Sequence, residues 1–306
     1  MRATFAKATV PGADAAVMPD AHARSRDFVA LAKPRLNLLV VASTLVGYAM
    51  ADGESLGLLR VGGLLLGTGL VAGGASAFNQ VIERDLDALM KRTRTRPMAD
   101  QRLQPIEGAL FGSAITIAGL LMILVAANLL AAAVALATLL SYVVVYTPLK
   151  TRSSFGTVIG AIPGALPPII GWAAASGALP PQAWTLFGIM FLWQLPHFLA
   201  IAWMYRDDYA RAGFAMLPVI EPDGRSTGRQ AVVYAAALVP LSLAPSLGHM
   251  TGEIYFAAAL GLGLVFLWLT LRFAQTRSAA DARRVFFASI VYLPVLWIVM
   301  IANKVS

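Results

Sequence analysis

Residues 61–78, Val61-Gly62-Gly63-Leu64-Leu65-Leu66-Gly67-Thr68-Gly69-Leu70-Val71-Ala72-Gly73-Gly74-Ala75-Ser76-Ala77-Phe78, carry no charge and run straight into Asn79-Gln80-Val81-Ile82-Glu83-Arg84-Asp85-Leu86-Asp87. About 20 apolar residues in helical form cross a hydrocarbon core roughly 30 Å thick. The stretch therefore reads as a membrane span whose last turns bear acid. Asn79, Glu83 and Asp87 recur every four residues, so a helix sets three oxygen-bearing side chains on one face. Asp85 falls off that face and is expected to meet water or a neighbouring arginine.

Outward from this span the same apolar texture repeats. Hydrophobic residues make up 58% of the 306 and charged ones 13%, more apolar surface than one water-soluble core can bury. After the start of the run at Pro34, nine apolar blocks cover about 34–51, 59–81, 106–127, 129–147, 155–176, 183–205, 230–248, 254–273 and 285–303. They predict an all-α polytopic membrane protein with nine transmembrane helices. Residues 1–30, rich in Ala, Asp and Arg, read as a disordered tail, which leaves 31–306 as a single transmembrane domain. The net charge of +8 raises nucleic acid as a partner, and its placement decides against that. With the N-terminus cytoplasmic, all 24 basic residues except Arg60 and Lys304 fall on one side, as the positive-inside rule requires. The partner is the lipid bilayer, and the loops at about 83–105 and 206–229 are expected on the cytoplasmic side. Cysteine is absent, which excludes disulfides, thiolate metal ligands and cysteine nucleophiles.

Carboxylates at the mouth of a span repel one another and cost roughly 2.5–3.5 kcal/mol each deep in the bilayer. A cation should offset them. Magnesium suits the site because it takes oxygen ligands and shares itself between one or two carboxylates and substrate phosphates. The sixth block ends in Met204-Tyr205-Arg206-Asp207-Asp208-Tyr209, a second acidic group on the same side. Asp87 precedes Pro97 by the same spacing that separates Asp208 from Pro218, which suggests an internal repeat. Arg92, Arg96, Lys150, Arg152, Arg206 and Arg211 offer forks and point charges to phosphate oxygens, although basic residues on inside loops also serve topology alone. His197 follows Pro196 in Leu192-Trp193-Gln194-Leu195-Pro196-His197-Phe198. A proline there kinks the helix, and an ionisable group at that depth serves either a cavity or a buried hydrogen bond. A cation-coupled transporter also uses intramembrane acids and broken helices, but here the acids gather at one membrane face.

The stripe Asn79/Glu83/Asp87, followed by Arg92, Thr93 and Arg96-Pro97 and by the acidic cluster after the sixth block, resembles the intramembrane aromatic prenyltransferase superfamily. Tyr146-Thr147-Pro148-Leu149-Lys150, Trp193-Gln194-Leu195-Pro196-His197-Phe198 and Tyr205-Arg206-Asp207-Asp208-Tyr209-Ala210-Arg211-Ala212-Gly213 are similar to its heme-farnesylating branch. The match runs from about Lys33 to the end. It implies nine helices around a central cavity in a bacterial inner membrane, with farnesyl diphosphate and heme b as substrates, magnesium as cofactor and heme O as product. It also implies a heme-handling membrane partner. By the same resemblance Glu83, Asp87, Asp207 and Asp208 hold the metal and Asn79 orients metal or phosphate. Arg92, Arg96, Lys150, Arg152, Arg206 and Arg211 bind diphosphate, and His197 and Trp193 meet heme. A sister activity on a quinone precursor or chlorophyll-like acceptor is the nearest rival. Two positions depart from the pattern: Glu83 stands where many relatives have Asp, and Asp207-Asp208 are adjacent where relatives space two aspartates four apart.

Overall fold

A computed structural model describes residues 21–51 and 56–305. Its helices are α1 (Ala21–Ala32), α2 (Pro34–Met50), α3 (Gly57–Leu89), α4 (Pro105–Ala126) and α5 (Leu129–Leu140). A π-helical turn, Ser141–Tyr146, leads into α6 (Thr147–Leu149), followed by α7 (Gly156–Ala165), α8 (Pro167–Ser176), α9 (Pro181–Met204) and α10 (Arg206–Arg211). The chain closes with α11 (Leu217–Ile220), α12 (Arg225–Leu247), α13 (Glu253–Thr276) and α14 (Ala279–Ala302). Among the described residues eight helical stretches are long and apolar enough to cross a membrane, and a pair bent by 41° at the α1–α2 joint supplies a ninth. Every apolar block of the sequence lies largely in one of these stretches.

Prolines shape three of the spans. Pro148 lacks an N–H and cannot serve the carbonyl four residues back, so the chain widens into the π turn ahead of it. There the Thr147 hydroxyl donates to the Tyr142 carbonyl at 2.9 Å. Pro167 and Pro168 break one span into α7 and α8 at Leu166. At the third break Lys33 adopts the left-handed conformation (φ 47°) directly before Pro34, an uncommon state for a residue with a Cβ. Its carbonyl accepts from Leu36 and Asn37 N–H, and the Asn37 amide donates to the Ala32 carbonyl at 2.6 Å. Those bonds hold the bend.

The expected unstructured tail is helical where it can be described. α1 seats Leu31 (0% exposed) among Ala77, Met98 and Leu103, and Phe28 meets Phe111 with ring centroids 5.2 Å apart. Asp27 pairs with Arg102 at 3.1 Å, and Arg24 with Glu107. These tertiary contacts order a helix too short to be stable alone. Residues 1–20 lie outside the described part.

Close helix approach relies on missing side chains, the usual device in lipid. A Cβ at Gly47 of α2 would strike the Pro168 carbonyl, and one at Gly171 of α8 the Thr44 carbonyl. α9, α12, α13 and α14 form a second packed group around Tyr255, Phe266, Phe273 and Tyr292, with Tyr292 hydrogen-bonded to Ser242 at 2.8 Å. The two long loops meet as well: Met90 packs with Ala212, Phe214 and Met216.

Candidate active site

α3 is 33 residues long, about 50 Å at 1.5 Å per residue, and so exceeds the hydrocarbon thickness. Its last turns bring Asn79, Glu83 and Asp87 to a wall where they are 3%, 3% and 1% exposed. Asp87 Oδ2 accepts from Arg96 at 2.7 Å, and Glu83 pairs with the Lys150 ammonium. The Asn79 amide donates to Thr147 Oγ1 at 3.4 Å, which ties the acidic stripe to the π turn. That turn also sets Lys150, whose ammonium lies 5.3 Å from the Tyr146 ring centroid and 5.2 Å from that of Phe214. Asp85 points away, pairing with Arg84 at 3.5 Å with 82% of its side chain exposed.

Asp87 Oδ1 and Glu83 Oε1 are buried and accept no hydrogen bond; Glu83 Oε1 has only the ion-pair contact with Lys150. Buried anionic oxygens without donors favour a cation beside them. Among the described residues no three acidic or histidine side chains converge into a closed metal cage. A hard divalent ion held by Glu83 and Asp87 would complete its shell with substrate oxygens and water, the habit of magnesium. The residues present therefore fit the ion.

The other expected ligands stand apart from this buried group. Asp208 pairs with Arg211 one turn along α10, and Asp207 is 86% exposed with Arg206 at 3.9 Å. Arg206 lies over the Trp203 ring, 4.6 Å from its centroid. Arg92 sits over Tyr205 and Tyr209 at 5.0 and 5.7 Å and donates to the Tyr209 hydroxyl at 3.1 Å. Arg152 is exposed on the turn after α6. The structure thus gathers Asn79, Glu83, Asp87, Arg96 and Lys150, and leaves Asp207, Asp208, Arg92, Arg152, Arg206 and Arg211 outside that cluster.

Beside the cluster opens a cavity of about 400 Å3 between α2, α3, α5, α7 and α9, within the range of small-molecule sites. Val40, Val71, Leu139 and Ile170 give it apolar walls, and Tyr142, Tyr146 and Phe198 add aromatic faces. Lys33 lines it too and feels the charges of Arg96, Asp87, Lys150 and Glu83. Sequence reasoning missed Lys33 because the bend at Pro34 is what turns it toward α3. The available signal was a cation immediately before a helix-initiating proline. His197 and Trp193 do not line the cavity. Gln194, Phe198 and Ile201 occupy that face of α9, whereas Trp193 donates to the Ser289 carbonyl at 2.9 Å and His197 Nδ1 meets Ser289 Oγ at 2.7 Å on α14.

The chain is similar to known proteins at two levels, sequence and fold. The chain is 46% identical over 288 residues to a protoheme IX farnesyltransferase of Solibacter usitatus (strain Ellin6076), covering 91% of this chain and 99% of that one. It is 44% identical over 290 residues to the enzyme of that name from Koribacter versatilis (strain Ellin345), covering 91% and 93%. In fold it is similar to a digeranylgeranylglyceryl phosphate synthase structure, with TM-score 0.77, 15% identity and 92% and 98% of the two chains covered. A UbiA homolog from Archaeoglobus fulgidus bound to GPP and Mg2+ gives TM-score 0.65, 17% identity and coverage of 90% and 99%. The UbiA prenyltransferase family matches residues 40–291, most of the membrane domain with its acidic stripe and cavity, and the chain is a prenyltransferase belonging to that family.

Proposed function

We propose that the protein transfers the farnesyl group of farnesyl diphosphate to a vinyl group of heme b, giving heme O. The observation that carries the donor half is the pair of buried carboxylates, Glu83 and Asp87, held by Lys150 and Arg96 beside an apolar cavity that Tyr146 and Lys33 line. Such a set suits a polyanion joined to a greasy tail. The acceptor half rests on the relatives named protoheme IX farnesyltransferase.

Glu83 and Asp87 would hold magnesium, Asn79 would orient metal or phosphate, and Arg96, Lys150 and Lys33 would bind the diphosphate. When bound there, magnesium would neutralise diphosphate charge and so make it a better leaving group. Lys150 and Arg96 add fixed positive charge at the same oxygens in a site of low dielectric. Tyr142 and Tyr146 present ring faces beneath this end, where an allylic cation gains from aromatic quadrupoles. The apolar walls exclude bulk water while the cation lives. Asp207, Asp208, Arg206 and Arg211 act from the loop after α9, which packs against Met90 through Phe214 and Met216, and Arg92 acts from the α3–α4 loop where it lies over Tyr205 and Tyr209. The active-site loops face the cytoplasm in this proposal.

The test is direct. Protein in lipid nanodiscs is incubated with magnesium, farnesyl diphosphate and heme b, and the porphyrin products are weighed by mass spectrometry. A hydroxylated, farnesylated heme is expected. Turnover of a quinone precursor with none of heme b would overturn the acceptor assignment.

A further inference from the structure

Below its charged end the cavity meets one amide whose two ends have different environments. Gln194 is 3% exposed and lines the cavity. Its Nε2 donates to the Ala161 carbonyl at 2.7 Å. A backbone carbonyl only accepts, so that bond fixes the amide and leaves Oε1 as the opposite, accepting end. No described donor reaches Oε1, yet it is not among the sealed, unpartnered atoms of the interior. It lies beside Gly164, also on the cavity wall, where a Cβ would collide with it. A helix-bridging role accounts for Nε2 alone. It gives no reason for an acceptor left open to an apolar chamber.

The depth is informative. Tyr146 packs on Gly160 and Gln194 on Gly164, so the amide sits one turn of α7, about 6 Å, beyond the Tyr146 ring. Of the cavity's hydroxyls, Thr68 donates to the Leu64 carbonyl and Thr138 to that of Val134, while those of Ser76, Tyr142 and Tyr146 have no described partner and stand with Gln194 as polar groups facing the chamber.

We infer that Gln194 positions the water that ends the reaction, a role that rests on the proposed heme activity. Ionisation breaks the farnesyl C1–O bond and releases diphosphate. The terminal vinyl carbon then bonds to C1, and positive charge moves to the inner vinyl carbon beside the porphyrin ring. Water oxygen bonds to that carbon, and the released diphosphate accepts one of its protons. Oε1 of Gln194 accepts a hydrogen bond from this water and aims its lone pair at the cation; the amide itself gains no proton. Without such a hold the cation would instead lose a proton and leave an alkene.

Wild type, Gln194→Leu and Gly164→Ala in nanodiscs with magnesium, farnesyl diphosphate and heme b provide the test, read as the mass-spectrometric ratio of hydrated to dehydrated prenylated heme. Gly164→Ala keeps the amide but presses a methyl group against Oε1. Both variants are expected to shift the ratio about tenfold toward the product lacking water, the scale of one lost hydrogen bond. Thermal melting checks folding, and if Gln194→Leu does not fold, Gly164→Ala decides. An unchanged ratio in the folded variants overturns the inference alone. Absence of any prenylated heme from wild type overturns the acceptor assignment and the inference with it.

Discussion

Asp85 and Asp87 stand two positions apart, yet one side chain is 82% exposed and the other 1%. That contrast follows from helical spacing alone and was legible in the sequence. Asp87→Asn and Glu83→Gln are each expected to lower kcat by about a hundredfold or more, as when a group stabilising leaving-group charge is removed. Asp85→Asn should stay within a few-fold of wild type, and steady-state kinetics on the three variants would expose an error in the stripe. His197 was less legible. Its motif places two stripes on α9, one through Trp193 and His197 and one through Gln194, Phe198 and Ile201, and only the packing of α14 says which faces the cavity. Ser289 Oγ donates to the Phe286 carbonyl at 2.6 Å, so the His197 ring donates through Nδ1. Stacked near Trp193 and Phe286 at 5.5 and 5.1 Å, it serves packing in this geometry. His197→Ala should cost about 1–3 kcal/mol of stability while leaving the heme absorbance spectrum unchanged, and a loss of that spectrum would return His197 to heme contact.

Among elements, the long apolar spans announced themselves because bilayer thickness dictates their length. The π turn and α1 did not. The first answers to Pro148 through Thr147 and Tyr142, and the second to Leu31 and Phe28 docking on partners far along the chain. The loop after α9 was read as a second acidic cluster because it ends the sixth apolar block on the same side and matches the first loop in the suggested repeat; on α10 Asp207 and Asp208 meet different partners, Arg206 and Arg211. The same loop holds Arg92 between Tyr205 and Tyr209. Such cation–π pairs are worth about 0.5–1 kcal/mol at exposed sites. Arg92→Met should therefore raise KM for farnesyl diphosphate about two- to fivefold through looser loop contact, with kcat nearly unchanged. A collapse of kcat would place Arg92 at the leaving group instead.

At the scale of the whole molecule, the charge asymmetry of the loops predicts that the active-site loops face the cytoplasm. The absence of native cysteine makes labelling clean. Single cysteines at Thr95 and Pro222, both exposed, are expected to resist an impermeant thiol reagent outside intact cells and to react once the membrane is opened. Labelling from outside would invert the topology. Pro222 is preferable to Gly224, which sits at φ 73° against Trp203. The excess length of α3 has a further consequence for traffic. In the proposed reaction, a pocket on the final turns of a helix longer than the hydrocarbon is thick releases its inorganic anion at the water's edge, whereas the enlarged porphyrin gains a chain that prefers lipid. The two products separate by phase as they form, and neither needs to cross the other's solvent to leave.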